Sequence, residues 1–397
     1  VNQPLVHLED LGFADGAHLL IQRALRDLPP GGLLGVTGTD PALDVHLRAW
    51  CRTRGHTVLP PDQPDSPVRA RVVRGTADLD RWTGAERAGT PGGTEKTPPL
   101  HWGLAARGAL VEPGGPEPHF DLADRDLVWA EIAPALYANA AAAQWDPGKA
   151  VPWDAEFSLP ADVERAVVQI MTYLVENEQA ALIVPARLLA RVHPHFREVL
   201  QLLAVQAADE ARHVEVFTRR AALTGAPLGT SSVSGRESLT TLLAEPDFSL
   251  ASFLLSVLGE GTFLNLLTFL DRHAPDPVTR RVARLARQDE ARHVAFGVAH
   301  LQHQSRSDPR LKGRLRSAVE RRHRALADAG GLNQDVLDAL TLLAAGGWSP
   351  QAIRRGHDAV RALRDDMDEG RRHRLVRLGF PPDEAADISA LHTRNFM

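Results

Sequence analysis

The sequence predicts a multidomain chain: a small two-layer α/β unit followed by an all-α remainder with extra C-terminal helices. Three observations predict it. Short apolar runs alternate with helical periodicity over residues 1–75, whereas residues 76–118 lose periodicity and fill with Gly, Pro, Thr and charge. From 119 onward helical patterns dominate to the end, and within them the hexapeptide Asp-Glu-Ala-Arg-His-Val occurs twice, at 209–214 and at 289–294. The expected division is therefore an α/β domain over 1–75, a linker over 76–118, a helical bundle over 119–305 and a helical extension over 306–397.

Composition narrows the chemistry. The 397 residues can bury a sizeable core without covalent staples. Cys51 is the only cysteine, so an internal disulfide and a Cys-based zinc or iron-sulfur site within one chain are excluded, and Glu, Asp and His remain as metal ligands. The formal net charge of −5 comes from a mixed population in which Lys occurs only at Lys96, Lys149 and Lys312; nothing forms a nucleic-acid footprint. No apolar run is expected to approach the roughly 18 residues of a membrane span, and the N-terminus lacks the basic-then-apolar order of a secretory signal. A soluble, cytoplasmic protein with no membrane partner is expected.

Within the α/β unit, Leu5–Leu8 reads as a strand, "AHLLIQRALRDL" as a helix ending at the "PPGG" turn, and "LLGVTG" as a second strand. "DPALDVHLRAWCRTRG" follows as a second helix, with "HTVL" and "VRARVVRG" as closing strands. The segments "LEDLGF", "ALRDLPPGGLLGVTGTDPA", "WCRTRGH" and the final "VVRG" resemble the TusA-like sulfur-carrier family in order, spacing and turn residues. That family carries sulfur on a Cys-Pro-x-Pro motif at the start of its first helix. Here the stretch is Asp15-Gly16-Ala17-His18, which offers no thiolate, so sulfur transfer is not expected; Asp15 is read as a helix cap or as idle, and Cys51 as a small buried apolar residue.

The bundle begins with "ADRDLVWAEIAPALYANAAAAQW" as a leading helix and "PADVERAVVQIMTYLVENEQAALIVPARLLARV" as a long one bent near Pro185. "HFREVLQLLAVQAADEARHVEVFTRRAAL" is the third. Residues 225–248 are long enough to cross from one end of a bundle to the other, with one short helix on the way. "SLASFLLSVLGEGTFLNLLTFLDRH" and "DPVTRRVARLARQDEARHVAFGVAHLQHQ" complete a second helical pair. Three more helices are expected between 309 and 378, the first with a basic, solvated face.

The repeated hexapeptide closes a larger duplication. Glu178 precedes Glu210 by 32 residues and Glu260 precedes Glu290 by 30, so each unit is Glu, about thirty residues, then Glu-x-x-His. Positions i and i+3 share a helix face, so Glu210 with His213, and Glu290 with His293, can each reach one cation. Leu174, Leu203, Phe217, Phe253, Val257 and Leu267 place these carboxylates on apolar faces, where an unpaired charge is very costly. Two divalent cations neutralise four carboxylates. Glu176 competes with Glu178 for the first position; "EQAAL" at Glu178 matches "EGTFL" at Glu260 better.

This ligand set is the one found in di-iron carboxylate bundles, and residues of about 120–305 resemble the ferritin-like superfamily, whose fold is a four-helix bundle. The resemblance implies that Glu210 and Glu290 bridge the metals, that Glu178 with His213 and Glu260 with His293 complete one site each, and that Asp209 and Asp289 accept the outer N–H of the opposite histidine. Arg212 and Arg292 pair with these acids or form exposed ion pairs. Carboxylate and imidazole suit two Fe ions, with Mn or a mixed Mn/Fe pair as alternatives. The implied activity is a di-iron oxidase or oxygenase acting with O2 on a small-molecule substrate, served by an electron-donor protein and compatible with a homo-oligomer. Radical storage is disfavoured, because the position four residues after the first histidine is Phe217 and the only tyrosines are Tyr137 and Tyr173. Arylamine N-oxygenases add a histidine where this chain has Ala286. Gly259 and Gly261 around Glu260 suggest a helix distortion, space for oxygen and substrate, or close helix packing. The alternatives are a ferritin-type iron-binding protein and an iron-containing scaffold.

Overall fold

In both of its compact units the helices follow from apolar spacing. The structure, a computed structural model, describes residues 3–63, 66–326 and 334–392. One unit comprises Val1–Pro91 with Ala105–Pro116, the other Gly92–Leu104 with Glu117–Met397.

The first unit runs β1 (Leu5–His7), α1 (Ala17–Arg26), β2 (Leu33–Thr37), α2 (Leu43–Thr53), β3 (Thr57–Leu59) and β4 (Ala70–Val73). The sheet order is β1-β2-β4-β3, with β1 and β2 parallel and the other pairs antiparallel. Ala17, Ile21 and Leu25 on α1, and Leu43, Leu47 and Cys51 on α2, recur every four residues and are buried with Leu34, Val36 and Val72 of the sheet. The element order is the one read from the sequence. Asp15 does not cap α1: it ends a 3-10 turn, and the cap position is Gly16 at φ 102°, a left-handed conformation that favours glycine. Gly75 is required where its α-carbon meets the Gly55 carbonyl, which leaves no room for a side chain. Residues 76–118 then carry α3 (Ala77–Arg81) and the paired β5 (Glu86–Arg87) and β6 (Leu110–Val111).

In the second unit α4 (Ala133–Ala142) and α5 (Pro147–Ala150) lead into four long segments. These are α6 (Ala161–Leu189), α7 (Arg197–Ala221), a continuous helix over Phe248–His273, and α11 (Pro277–Gln304). The continuous helix comprises α9 (Phe248–Ser252), a π-helical segment Phe253–Glu260 and α10 (Gly261–His273). The crossing connection holds α8 (Val233–Leu243). α6 packs on α7 and α10 on α11, and α7 meets α11 across the bundle. The leading helix starts later than its sequence suggests, at Ala133, because Pro134 suits a first turn but not a helix interior. α6 runs on through Pro185.

By length and composition, Phe248–His273 meets the requirement for a membrane span, with a mean hydropathy of 1.6, contrary to the expectation that no run comes close. Its apolar character has another cause: 83% of that window is buried inside the protein, against α11 and the C-terminal helices. Those helices are α12 (Leu311–Ala325), α13 (Gln334–Ala345) and α14 (Pro350–Arg377), the three read from the sequence between 309 and 378, and beyond that span α15 (Pro382–His392). α13 packs on α6 and α14, and α14 lies along α10. The basic α12 is not wholly solvated, since Arg322 is buried.

Candidate metal centre

Glu178 comes from α6, Glu210 and His213 from α7, Glu260 from the last residue of the π-helical segment, and Glu290 and His293 from α11. All six are buried, at 2% exposure or less. The structure brings them together as two overlapping groups. Glu178, Glu210, His213 and Glu290 offer ligand atoms within 4.8 Å of one another, and so do Glu210, Glu260, Glu290 and His293. Glu176 is in neither group.

The two shared carboxylates each present one oxygen to each histidine. Glu210 Oε2 lies 3.1 Å from His213 Nδ1 and Glu210 Oε1 lies 3.0 Å from His293 Nδ1. Glu290 Oε1 lies 3.5 Å from His213 Nδ1 and Glu290 Oε2 3.4 Å from His293 Nδ1. The two remaining carboxylates are private: Glu178 Oε2 is 3.4 Å from His213 Nδ1, and Glu260 Oε1 is 3.9 Å from His293 Nδ1. Several of these buried atoms have no hydrogen-bond partner, namely Glu178 Oε1, Glu210 Oε1, Glu260 Oε2, Glu290 Oε2 and His293 Nδ1. Buried polar atoms are normally satisfied, and a cation held between acceptors satisfies them without any donor. The donor set, carboxylate and imidazole with no thiolate, fits a pair of hard-to-borderline divalent ions.

The outer edge of each imidazole faces the aspartate of the other repeat. His213 Nε2 is 3.2 Å from Asp289 Oδ2, and His293 Nε2 is 3.2 Å from Asp209 Oδ2. An aspartate there keeps the ring proton on Nε2 and leaves the Nδ1 lone pair, on the carboxylate side, free to bind a cation. Arg212 and Arg292 are not simple surface pairs; each bridges both aspartates, Arg212 reaching Asp209 and, at 3.3 Å, Asp289, and Arg292 reaching Asp289 and, at 3.4 Å, Asp209.

The titration behaviour follows from burial and neighbours. Burial, reinforced by facing carboxylates, holds Glu178 and Glu260 well above the usual carboxylate range. Burial alone would also raise Glu210, but His293 and His213 on either side outweigh it and hold Glu210 low. For His213 and His293 the order is reversed: burial opposes their charge, yet the carboxylates raise both well above the ordinary imidazole value. Asp289, despite its burial, is drawn down to about 2 by His213, Trp145 and Arg292.

Sequence reasoning missed three contributors. Trp145 donates from Nε1 to Asp289 Oδ2 at 2.8 Å, beneath the Arg212 guanidinium. Gln144 donates to Asp209 Oδ1 at 3.1 Å, and Gln206 to Glu260 Oε1 at 3.0 Å. Gln206 lies one turn before Glu210 on the same face of α7, a spacing that flags it; Gln144 and Trp145 stand beyond the end of α4 and carry no such signal. Phe217 sits 6.2 Å from the His213 ring, and Tyr173 packs 6.1 Å from Phe263.

No family model matches the chain, and no curated protein does. Among solved structures it is similar to an R2-like ligand-binding oxidase variant with an anaerobically reconstituted Mn/Fe cofactor, at 18% identity and a TM-score of 0.47, over 63% of this chain and 94% of that one. A second variant of that name, with an aerobically reconstituted Mn/Fe cofactor, matches at 19% identity and a TM-score of 0.45, over 66% and 94% of the two chains. An R2-like ligand-binding oxidase from Sulfolobus acidocaldarius matches at 15% identity and a TM-score of 0.42, over 64% and 93%.

Proposed function

We propose that the chain is an oxidoreductase with a dinuclear metal centre, an oxidase or oxygenase that uses O2 on a small organic substrate. One observation carries the reading: two buried ligand groups share Glu210 and Glu290, and each shared carboxylate presents one oxygen to each histidine. Glu178 with His213 would hold one ion and Glu260 with His293 the other. When bound, a pair of ferrous ions, or Mn and Fe together, supplies electrons to dioxygen. The protein supplies the rest. Asp289 and Asp209 fix the histidine tautomers, Gln206 orients Glu260, and the surrounding buried side chains Leu174, Phe217, Phe253 and Val257 keep water from competing at the site.

In the same reading the chain is an α/β domain followed by a ferritin-like bundle with a helical extension, and it works in the cytoplasm. The first unit is a TusA-like domain that has lost its sulfur chemistry: burial pushes the Cys51 thiol up to about 12, so it does not supply a thiolate in place of the missing motif.

Anaerobic loading with ferrous iron followed by exposure to O2 tests the reading. Two ions per chain and oxygen consumption that depends on an added organic substrate are expected. Uptake of many ions per chain would replace the proposal with iron storage, and two ions inert to O2 would replace it with a structural metal site.

A further inference from the structure

Glu260 is the only one of the four carboxylates that stands at the junction of a π-helical segment with an α-helix. A π turn adds a residue to the repeat, and each residue turns a helix by about 100°, so the persistence of this segment fixes the direction of Glu260 relative to everything before it. The Gly261 N–H bonds to the carbonyls of Ser256, Leu258 and Gly259, and not to Val257 O, its partner in an ordinary α-helix. Val257 O accepts a hydrogen bond at 2.7 Å from Arg374 Nε, on α14. The guanidinium fills the space that a side chain at Gly261 would occupy, so Gly261 is not room for oxygen or substrate. One turn earlier on α14, Arg371 Nη1 donates to Thr262 Oγ1 at 3.4 Å and Arg371 Nε to Ser389 Oγ of α15 at 3.0 Å. On the opposite side, Gly297 of α11 admits Ser256 so closely that a Cβ there would lie 2.7 Å from the Ser256 Cβ. The segment is gripped from both faces.

We infer that Arg374 is a positioning residue for Glu260: the C-terminal extension, through Arg374, holds the π-helical segment in the register that aims Glu260 at His293. The inference rests on the dinuclear reading. It assigns α14 a part in the metal centre, although α14 contributes no ligand. Arginine suits the task because Nε–H is fixed in the guanidinium plane and the group remains charged while half-buried, its pKa lowered by burial only to about 10.

The test compares Co(II) binding, read by its optical spectrum, in the full-length protein and in Arg374→Gln, Gly261→Ala and Val360→Ala. Val360 is buried on the same helix nearly four turns away, so its truncation weakens α14 without touching the arginine. Arg374→Gln and Gly261→Ala, one removing the guanidinium and the other pushing it aside, are expected to weaken one of two Co(II) sites by ~10–100-fold while the other is retained. Val360→Ala is expected to lower the melting temperature with both sites intact. Two unchanged sites in Arg374→Gln, or the same loss in Val360→Ala, would overturn the inference and leave the dinuclear reading standing. A wild-type protein that binds no pair of Co(II) ions would remove the reading on which the inference rests.

Discussion

Single residues decide whether the centre can hold its charge. In the metal-free chain Glu178, Glu260, His213 and His293 are all shifted toward their protonated forms, the two carboxyls by burial and facing carboxylates and the two imidazoles by the carboxylates around them. Cations must displace those protons. Divalent-metal affinity should therefore rise with pH and loading should release acid, measurable by titrating weakly buffered protein; an affinity insensitive to pH would contradict the assignment. Asp289→Asn keeps the shape but can present an N–H to His213 Nε2, which disturbs the tautomer that leaves Nδ1 free. We expect ~10–100-fold weaker binding of the ion nearest His213, read by isothermal titration, with the other ion less affected. At this scale the sequence was informative for a definite reason. Glu-x-x-His at helical spacing, repeated with its upstream glutamate, places donors on one face whatever the loops do, and Asp209 and Asp289 ride on the same turns. Trp145 and Gln144 reach the site from another segment, and no periodicity connects them to it.

Elements hold those residues in place through a few buried polar ties. Arg220, fully buried at the end of α7, donates to Glu164 Oε1 of α6 at 2.7 Å, to Asp276 Oδ2 at 2.8 Å and to Thr279 Oγ1 of α11 at 2.8 Å. Asp276 itself caps α11, accepting from the Thr279 N–H at 2.7 Å. Removing the guanidinium strands two buried carboxylates, so Arg220→Met should cost about 3–5 kcal/mol of stability, visible as a lowered denaturation midpoint in urea. A cost below 1 kcal/mol would mean the ties are incidental. Helix positions were legible from apolar spacing, but two features at this scale were not. Pro134 delays α4, although the run on either side of it reads as continuous helix. The π-helical segment has no composition of its own; Gly259 and Gly261 hinted at distortion, and only the packing of Arg374 against Gly261 shows why a side chain is excluded there.

At the scale of the whole molecule, the duplication explains the architecture of the second unit. Each copy contributes a helix with a lone glutamate and a helix with Glu-x-x-His, and pairing α6 with α7 and α10 with α11 puts the four ligand faces toward one another. Arg212 and Arg292 are engaged with Asp209 and Asp289 rather than with the four glutamates. The α/β unit was readable because its buried positions recur every four residues on α1 and α2, whereas α15 escaped notice because its short amphipathic pattern is weak. The central claim is that Glu210 and Glu290 join two ions into one centre. Mössbauer spectra of protein loaded anaerobically with ⁵⁷Fe(II) and then oxidised test it most directly. Two irons per chain, magnetically coupled in the wild type and uncoupled in Glu210→Ala, are expected; a single iron, or two that remain uncoupled in the intact protein, would refute the shared-carboxylate centre.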